Sequence, residues 1–141
     1  DIFLENRNVE ENLRFALNLY SISKFQAEFQ IKRCLNLVDL KGYNSILLKE
    51  LLPQQKLRLS IARSLLLKPF IIILEDPICY LDEVNSQGIF HLLKKINKLN
   101  ITIIFICSNE RFLRRHNSEK ILTLNREITE DEKEGSNVKK F

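Results

Sequence analysis

The sequence predicts an α/β fold in which a parallel sheet is flanked by helices and preceded by a helical subdomain. Two observations predict this class. In the second half of the chain, short apolar runs rich in β-branched residues alternate with helical patterns, which is typical of β-α-β units. The N-terminal part instead contains two amphipathic helical patterns with no strand between them. A chain of 141 residues is long enough to bury one such core.

The N-terminal subdomain consists of two predicted helices. In the first, apolar residues recur at i, i+4, i+7, i+8 and i+11 and therefore share one helix face: Val9, Leu13, Ala16, Leu17 and Tyr20. After a short polar turn the same spacing recurs at Ala27, Ile31, Cys34, Leu35 and Val38. Gly42 and Asn44 then end the pattern. We assign residues 1–50 to this helical subdomain.

The α/β portion begins with a third predicted helix, from Pro53 to Leu67. Proline is favourable in the first turn of a helix, and Pro69 stops the pattern. Phe70–Leu74 is a continuous apolar run, which is typical of a parallel strand covered on both faces. A fourth helix follows, with apolar residues at Val84, Ile89, Leu92, Leu93, Ile96 and Leu99.

Three further elements are predicted after the fourth helix. Ile101–Cys107 is a second buried strand, Asn109–Arg115 a helix, and Lys120–Leu124 a shorter third strand. Strands and helices that alternate at this spacing imply right-handed crossovers and a parallel sheet. The final residues are mostly charged and polar, with little to bury. We therefore assign residues 51–128 to the α/β portion and 129–141 to a polar tail.

Composition argues against several classes of function. The 22 Lys and Arg residues are scattered among 18 Asp and Glu residues, so the net charge of +4 does not predict a nucleic-acid partner. No apolar stretch reaches the ~18 residues that span a bilayer, and no leader that would direct export is recognisable. The spacing of the cysteines does not fit zinc and favours reduced, cytosolic thiols at Cys34, Cys79 and Cys107. Because the chain begins with Asp1 and lacks Met, we expect a fragment or a processed piece.

Polar residues follow both predicted strands at the point where each strand ends. Glu75 and Asp76 follow the first strand, and Ser108 and Asn109 follow the second. In an open parallel sheet, ligands bind beyond the carboxyl ends of the strands. Carboxylates there can hold hydrated Mg²⁺ and orient a water molecule, as nucleotide hydrolysis requires. The alternative is that the acidic pair only ends a strand and caps the next turn.

The segment SIARSLLLKPFIIILEDPICYLDE, from Ser60 to Glu83, resembles the core of ATP-binding cassette (ABC) ATPases, a family of P-loop NTPases. Several of its residues match that family's signature helix and Walker B strand, the proline after the strand and the D-loop: Ile61, Ala62, Arg63, Leu65, Pro69, Ile71–Leu74, Pro77, Leu81 and Asp82. NRNVEENLRFAL resembles the start of the helical subdomain after the Q-loop, CLNLVDLKGYNS its end, and TIIFICSNE the strand before the H-loop. The resemblance runs from Phe3 to about Ile128. It is closest to the small bacterial ATPases of the cell-division and lipoprotein-release type.

The resemblance implies ATP and Mg²⁺ as cofactors and assigns roles to residues. Glu75 occupies the position of the metal-binding carboxylate, Asp76 that of the catalytic carboxylate that acts on the attacking water, and Ser108 that of the H-loop histidine. Asp82 falls in the D-loop, which spans the dimer interface. The signature loop, which contacts ATP held by the opposite subunit, falls on Leu51 and the nucleotide-binding positions Leu52, Pro53, Gln54 and Gln55.

Four departures from the family pattern predict impaired catalysis. No G-x-x-x-x-G-K-[ST] loop occurs in the chain, so the Walker A lobe is expected upstream. In the signature, Leu52 has no hydroxyl and Pro53 has no N–H. The order of the Walker B acids is inverted, so Asp76 is one methylene shorter than the glutamate expected there. Ser108 cannot carry the positive charge of a histidine.

Three functions are consistent with these residues. The first is an ABC-type nucleotide-binding subunit that couples ATP binding and hydrolysis to a membrane permease, as a homodimer or heterodimer of cassettes on the inner face of the cell membrane. The second is a catalytically inactive pseudo-ATPase that acts as an interaction or scaffold subunit. In both, the helical part from Val9 to Val38 docks on the permease. The third is an unrelated α/β domain whose acidic pair is structural.

Overall fold

The computed structural model describes residues 3–18, 20 and 22–106. These residues form four α-helices, a short 3-10 turn and two strands, in the order α1 (Val9–Leu17), α2 (Lys24–Leu37), the 3-10 turn (Leu48–Glu50), α3 (Pro53–Leu66), β1 (Ile71–Glu75), α4 (Glu83–Asn97) and β2 (Thr102–Ile106). The predicted helix Asn109–Arg115, the predicted strand Lys120–Leu124, and Ser108 lie outside the described residues. In the part of the chain that the structure covers, every helix is too short or too polar to cross a bilayer.

Both N-terminal helices begin with reciprocal caps. The Asn8 side chain accepts from the N–H of Glu11 at 2.8 Å, and the Glu11 carboxylate accepts from the N–H of Asn8 at 3.0 Å. Ser23 and Gln26 make the same exchange at the start of α2. The predicted apolar faces are confirmed at the residues that each helix buries: Val9, Leu13, Leu17, Ala27, Ile31 and Leu35. Tyr20 was wrongly placed on the first face, because α1 ends at Leu17 and Tyr20 is about half exposed.

The loop before α3 is hydrogen-bonded to the start of α1. Leu47 forms an isolated antiparallel bridge with Asn8. The buried Asn12 side chain accepts from the N–H of Leu4 at 2.8 Å and donates to the carbonyl oxygens of Leu4 and Asn8 at 3.1 and 3.0 Å. Asn12 therefore fixes the chain that leads into α1. The break predicted at Gly42 is confirmed by its φ of 87°, which glycine adopts without a steric penalty.

Helix α3 begins at Pro53, as predicted, and ends at Leu66, one residue before the predicted end. Its buried residues face α1 and α2 on one side and α4 on the other, and they are Leu59, Ile61, Ala62, Leu65 and Leu66. Lys68 has a φ of 51° and its N–H donates to the carbonyl oxygen of Leu65, which closes the end of the helix before Pro69.

Strands β1 and β2 pair in parallel, with Ile71 opposite Thr102 and Glu75 opposite Ile106. They are joined through α4, as the β-α-β prediction requires. The first strand begins one residue later than predicted, and Phe70 is exposed. Two residues predicted on the apolar face of α4 are also exposed, because Val84 lies in the first turn and Leu99 follows the end of the helix.

The two faces of the sheet differ in burial. On one face Ile72, Leu74, Ile103 and Phe105 pack on the core, where Phe105 meets Phe90 of α4 edge-to-face at 5.3 Å between ring centroids. On the other face four isoleucines are 42% to 63% exposed: Ile71, Ile73, Ile104 and Ile106. The expectation that the first strand is covered on both faces is therefore wrong for the described residues, because α4 covers one face only.

Candidate functional site

The acidic pair lies at the carboxyl edge of the sheet. Glu75 is the last residue of β1 and pairs with Ile106, the last residue of β2. Asp76 follows, and its N–H donates to the carbonyl oxygen of Ile106 at 2.9 Å. The two parallel strands therefore end together at the edge where ligands bind in open α/β sheets. This location of Glu75 and Asp76 agrees with the sequence prediction.

The two carboxylates differ in backbone geometry. Side chains alternate along a strand, so Glu75 lies on the same face as the exposed Ile71 and Ile73. Asp76 has a φ of 39°, in the left-handed region that aspartate and asparagine tolerate better than most residues. The turn continues with the N–H of Cys79 donating to the carbonyl oxygen of Asp76 at 3.3 Å. Glu75 thus has the geometry of an exposed strand residue, whereas Asp76 begins a turn.

Asp82 caps helix α4. Its carboxylate accepts from the backbone N–H of Asn85 at 2.8 Å and from the Asn85 side-chain amide at 2.7 Å. These hydrogen bonds, the backbone one first, hold the pKa of Asp82 below its usual value. Asp82, which the sequence placed in the D-loop, is therefore also the N-cap of α4.

The predicted signature positions lie at the start of α3. Leu52 is the N-cap but has no side-chain acceptor. The Gln55 side chain closes this end instead, because its Oε1 accepts from the N–H of Leu52 at 2.9 Å and its Nε2 donates to the Tyr43 hydroxyl at 3.0 Å. Pro53 lacks an N–H, and the N–H of Gln55 donates to the carbonyl oxygen of Leu52. Gln54, between them, is partly buried.

The carboxylates of this site suit a magnesium ion, which needs only one or two protein ligands, better than a metal ion whose ligands all come from the protein. Among the described residues, 3–18, 20 and 22–106, no group of three His, Cys, Asp or Glu side chains could hold a metal ion. Mg²⁺ in nucleotide sites uses only one or two carboxylates and takes its other ligands from water and phosphate. Glu75, at the sheet edge and exposed, fits that requirement.

Arg58 joins three helices and was not singled out from the sequence. Its Nη1 donates to the Asp39 carboxylate at 2.7 Å and to the carbonyl oxygen of Val38 at 3.0 Å. Its Nη2 lies 3.3 Å from the position that a Cβ would take on Gly88 of α4. The available sequence signal was Gly88 itself, because a glycine inside a helix is unfavourable and often marks a close approach.

Similarity to known proteins agrees with this geometry. The spermidine/putrescine import ATP-binding protein PotA of Clostridium novyi is 33% identical to the chain over 122 residues, which cover 86% of the chain and 33% of that protein. The ABC transporter component CbiO1 from Clostridium perfringens has a TM-score of 0.73 at 23% identity, over 79% of the chain and 45% of that structure. MJ0796, a bacterial ABC transporter cassette solved as a dimer, has a TM-score of 0.66 at 24% identity, over 79% and 50%. No protein-family model matches the chain.

The relatives and structural neighbours are ATP-binding cassettes of ABC transporters. The chain accordingly has the α/β fold of part of such a cassette, that is, of a P-loop NTPase. It spans only 27% to 33% of the length of the curated relatives that it matches first.

Proposed function

We propose that the chain is part of the ATP-binding subunit of an ABC-type membrane complex and that it couples ATP binding to a membrane partner. The observation that carries this proposal is the acidic pair, Glu75 and Asp76, at the carboxyl edge of a parallel β-α-β unit in a chain similar to import ATPases. Within this subunit, residues 1–50 act as the helical subdomain, 51–128 as the α/β portion and 129–141 as a polar tail.

The uncovered sheet face supports a role in nucleotide binding that needs a second lobe. Parallel sheets are almost always covered on both faces, yet Ile71, Ile73, Ile104 and Ile106 are exposed. Glu75 lies on the same face. We propose that a lobe carrying the phosphate loop packs on this face, so that Glu75 approaches the Mg²⁺ of bound ATP. That lobe belongs either to the same polypeptide or to a partner.

Catalysis in such a subunit is proposed to be weak. Loss of a phosphate contact from a serine hydroxyl or a backbone N–H removes about 1.5–3 kcal/mol each, and Leu52 and Pro53 offer neither. The shorter Asp76 places an attacking water less accurately, and a displacement of about 1 Å can cost on the order of 100-fold in rate. By resemblance Ser108 occupies the H-loop position. Because serine cannot carry the positive charge of a histidine, the rate of hydrolysis should fall further.

The second candidate is a scaffold subunit that binds its partners but does not hydrolyse ATP. The specific observation in its favour is that Gln55 closes the start of α3 through Leu52 and Tyr43. A helix start that protein groups already cap has less need of a phosphate. In both candidates the face from Val9 to Val38 contacts the membrane permease, and two cassettes associate, as in the dimeric MJ0796 structure. Location on the inner face of the cell membrane follows from the same proposal.

The assignment to one subgroup of ABC ATPases stays a prediction. The resemblance to ATPases of the cell-division and lipoprotein-release type rests on the sequence segments alone, whereas the PotA relative is named for import of spermidine and putrescine.

The test is phosphate release by the complete subunit together with its permease. The Asp76→Asn variant removes the charge but keeps a side chain that tolerates the left-handed backbone. If the subunit turns over ATP, this variant should lose at least tenfold in rate, while the exposed control Glu50→Gln keeps the wild-type rate. Equal rates at background level for all three proteins would favour the scaffold. Separately, the isolated chain should bind ATP weakly with Mg²⁺, and submicromolar affinity in a titration would contradict the need for a second lobe.

A further inference from the structure

Helices α3 and α4 approach each other at Arg58 and Gly88. A Cβ added to Gly88 would lie 3.3 Å from Nη2 of Arg58, which is tighter than an ordinary van der Waals contact. Glycine in the interior of a helix lowers the stability of that helix, and Gly88 has no positive φ that would require glycine. The reason for glycine here is therefore space rather than backbone conformation, because the missing Cβ lets the guanidinium lie directly against α4.

Arg58 is held on its other side by the end of α2. Its Nη1 donates to the carbonyl oxygen of Val38 at 3.0 Å and to the Asp39 carboxylate at 2.7 Å. The end of α2 is itself closed, because the N–H of Leu40 donates to the carbonyl oxygen of Leu35 at 2.8 Å. A guanidinium is planar, so the hydrogen bonds of Nη1 also fix the direction of Nη2. Arg58 is therefore a spacer of fixed length between the end of α2 and α4.

The contact lies equally far from the starts of both helices. Helix α3 begins at Pro53, five residues before Arg58, and α4 begins at Glu83, five residues before Gly88. At a rise of about 1.5 Å per residue, each start is about 7.5 Å from the contact along its helix. Both helices end at the amino edge of the sheet, because each leads into a strand there. The spacing between the two starts therefore depends on how closely Arg58 and Gly88 pack.

We propose that Arg58 is a positioning residue that sets the spacing between the starts of α3 and α4, and that it thereby shapes the surface that these starts present to a second cassette. The start of α3 carries the signature positions, and the start of α4 carries Asp82 of the D-loop. The link to a second cassette rests on the proposed function, in which both starts face the opposite subunit. The spacing itself is a property of this chain and requires neither ATP nor a partner.

A role of Arg58 in stability alone does not account for the glycine. Removal of the Arg58 side chain cannot separate the two roles, because it also breaks the hydrogen bonds to α2. Gly88→Ala can separate them, since it leaves those groups in place and displaces Nη2 by a few tenths of an ångström. Alanine also favours the helix, which offsets the crowding, so this variant should keep a thermal midpoint close to that of the wild type.

The experiment is a comparison of backbone amide chemical shifts in the full chain by NMR, with each substitution observed at the start of the other helix. Gly88→Ala in α4 should shift the amide signals of Leu52 and Gln55 at the start of α3. Gln87→Ala is the matched control, because it places an alanine at the exposed neighbouring position of the same helix. The control should leave the start of α3 unchanged.

The reciprocal variant is Arg58→Lys, observed at the amide of Asn85 near the start of α4. Lysine keeps a positive charge but has no second terminal nitrogen to lie against α4, so we expect the Asn85 signal to shift. With Arg58→Lys present, Gly88→Ala should add little at the start of α3, because the group that it crowds is gone. The proposal is overturned if Gly88→Ala affects the start of α3 no more than Gln87→Ala does, or if its effect is equally large in both backgrounds.

Association of two complete subunits in the presence of ATP tests the link to the second cassette. Because a misplacement of about 1 Å can cost on the order of 100-fold, a displacement of a few tenths of an ångström in Gly88→Ala should weaken association about fourfold. Gln87→Ala should associate as the wild type does. Equal association of all three proteins would overturn the link. If the wild-type subunit does not associate, the proposed function fails, while the amide shifts still decide the role of Arg58.

Discussion

Replacement of Arg58 by alanine should destabilise the chain by about 2–4 kcal/mol. The Arg58 side chain is only 17% exposed, and its hydrogen bond to the carbonyl oxygen of Val38 is 3.0 Å long. A bond from a charged donor to a buried acceptor contributes about 1.5–3 kcal/mol. Its ion pair with Asp39 is short, at 2.7 Å, but the Asp39 side chain is 61% exposed, so solvent limits its contribution to about 0.2–1 kcal/mol.

The assay is urea unfolding of the 141-residue chain followed by circular dichroism. Asp39→Asn separates the contribution of the ion pair from that of the hydrogen bond to Val38, because asparagine removes the charge yet tolerates the φ of 59° at this position. We expect Asp39→Asn to cost less than about 1 kcal/mol, and the double variant to cost no more than Arg58→Ala alone. Arg7→Ala is the control, since the Arg7–Glu11 pair is exposed and should contribute under about 0.5 kcal/mol. A loss below about 0.5 kcal/mol for Arg58→Ala, or a loss equal to that of Asp39→Asn, would refute the role of the buried carbonyl.

Three further predictions follow from individual side chains. Asn12→Ala should lower the free energy of unfolding by about 1–3 kcal/mol in the same assay, because it removes the hydrogen bonds that the buried Asn12 side chain makes with the N–H and carbonyl oxygen of Leu4; a loss below about 0.5 kcal/mol would contradict this. Partial burial raises the pKa of the Cys34 thiol to about 11, so with Cys107→Ser present, a disulfide reagent at pH 8 should modify the exposed Cys79 quickly and the half-buried Cys34 much more slowly, and equal rates would contradict this. Because the pKa of Asp82 is lowered on folding, its contribution to stability is present above about pH 4 and lost as the pH falls through the lower folded value. The difference in thermal midpoint between wild type and Asp82→Ala should therefore shrink from pH 7 to pH 2, and an unchanged difference would contradict it.

The helices and strands of the described residues could be predicted because their signals are local. The spacing of Val9, Leu13 and Leu17 fixes a helix face wherever the rest of the chain lies, and Pro53 marks a helix start through its own backbone. The burial of the first strand could not be predicted in the same way. Ile71 and Ile73 look like residues of a strand covered on both faces, but whether a face is covered depends on the polypeptide that packs there.

In the candidate site, too, features that depend on local sequence could be predicted, and those that depend on the packing of distant segments could not. Glu75 and Asp76 could be placed at the carboxyl edge because strand direction alone decides it. The capping role of Asp82 was not predicted, although a local signal for it was readable, since Asn85 follows three residues later on a helical pattern. The bridge made by Arg58 was not readable, because its partner Asp39 lies 19 residues away and only the packing of α2 on α3 brings them together.

The start of α3 connects the fold to the question of catalysis. A helix N-terminus binds an anion when its first N–H groups lack partners and a side chain or glycine lets the anion approach. Here Pro53 has no N–H to offer, the N–H of Gln55 already has an acceptor, and the Gln55 side chain caps Leu52. This helix start therefore offers fewer N–H groups to a ligand than a helix start normally does. A serine in place of Leu52 would therefore not restore phosphate binding by itself, because the missing N–H of Pro53 and the ring that blocks the approach would remain.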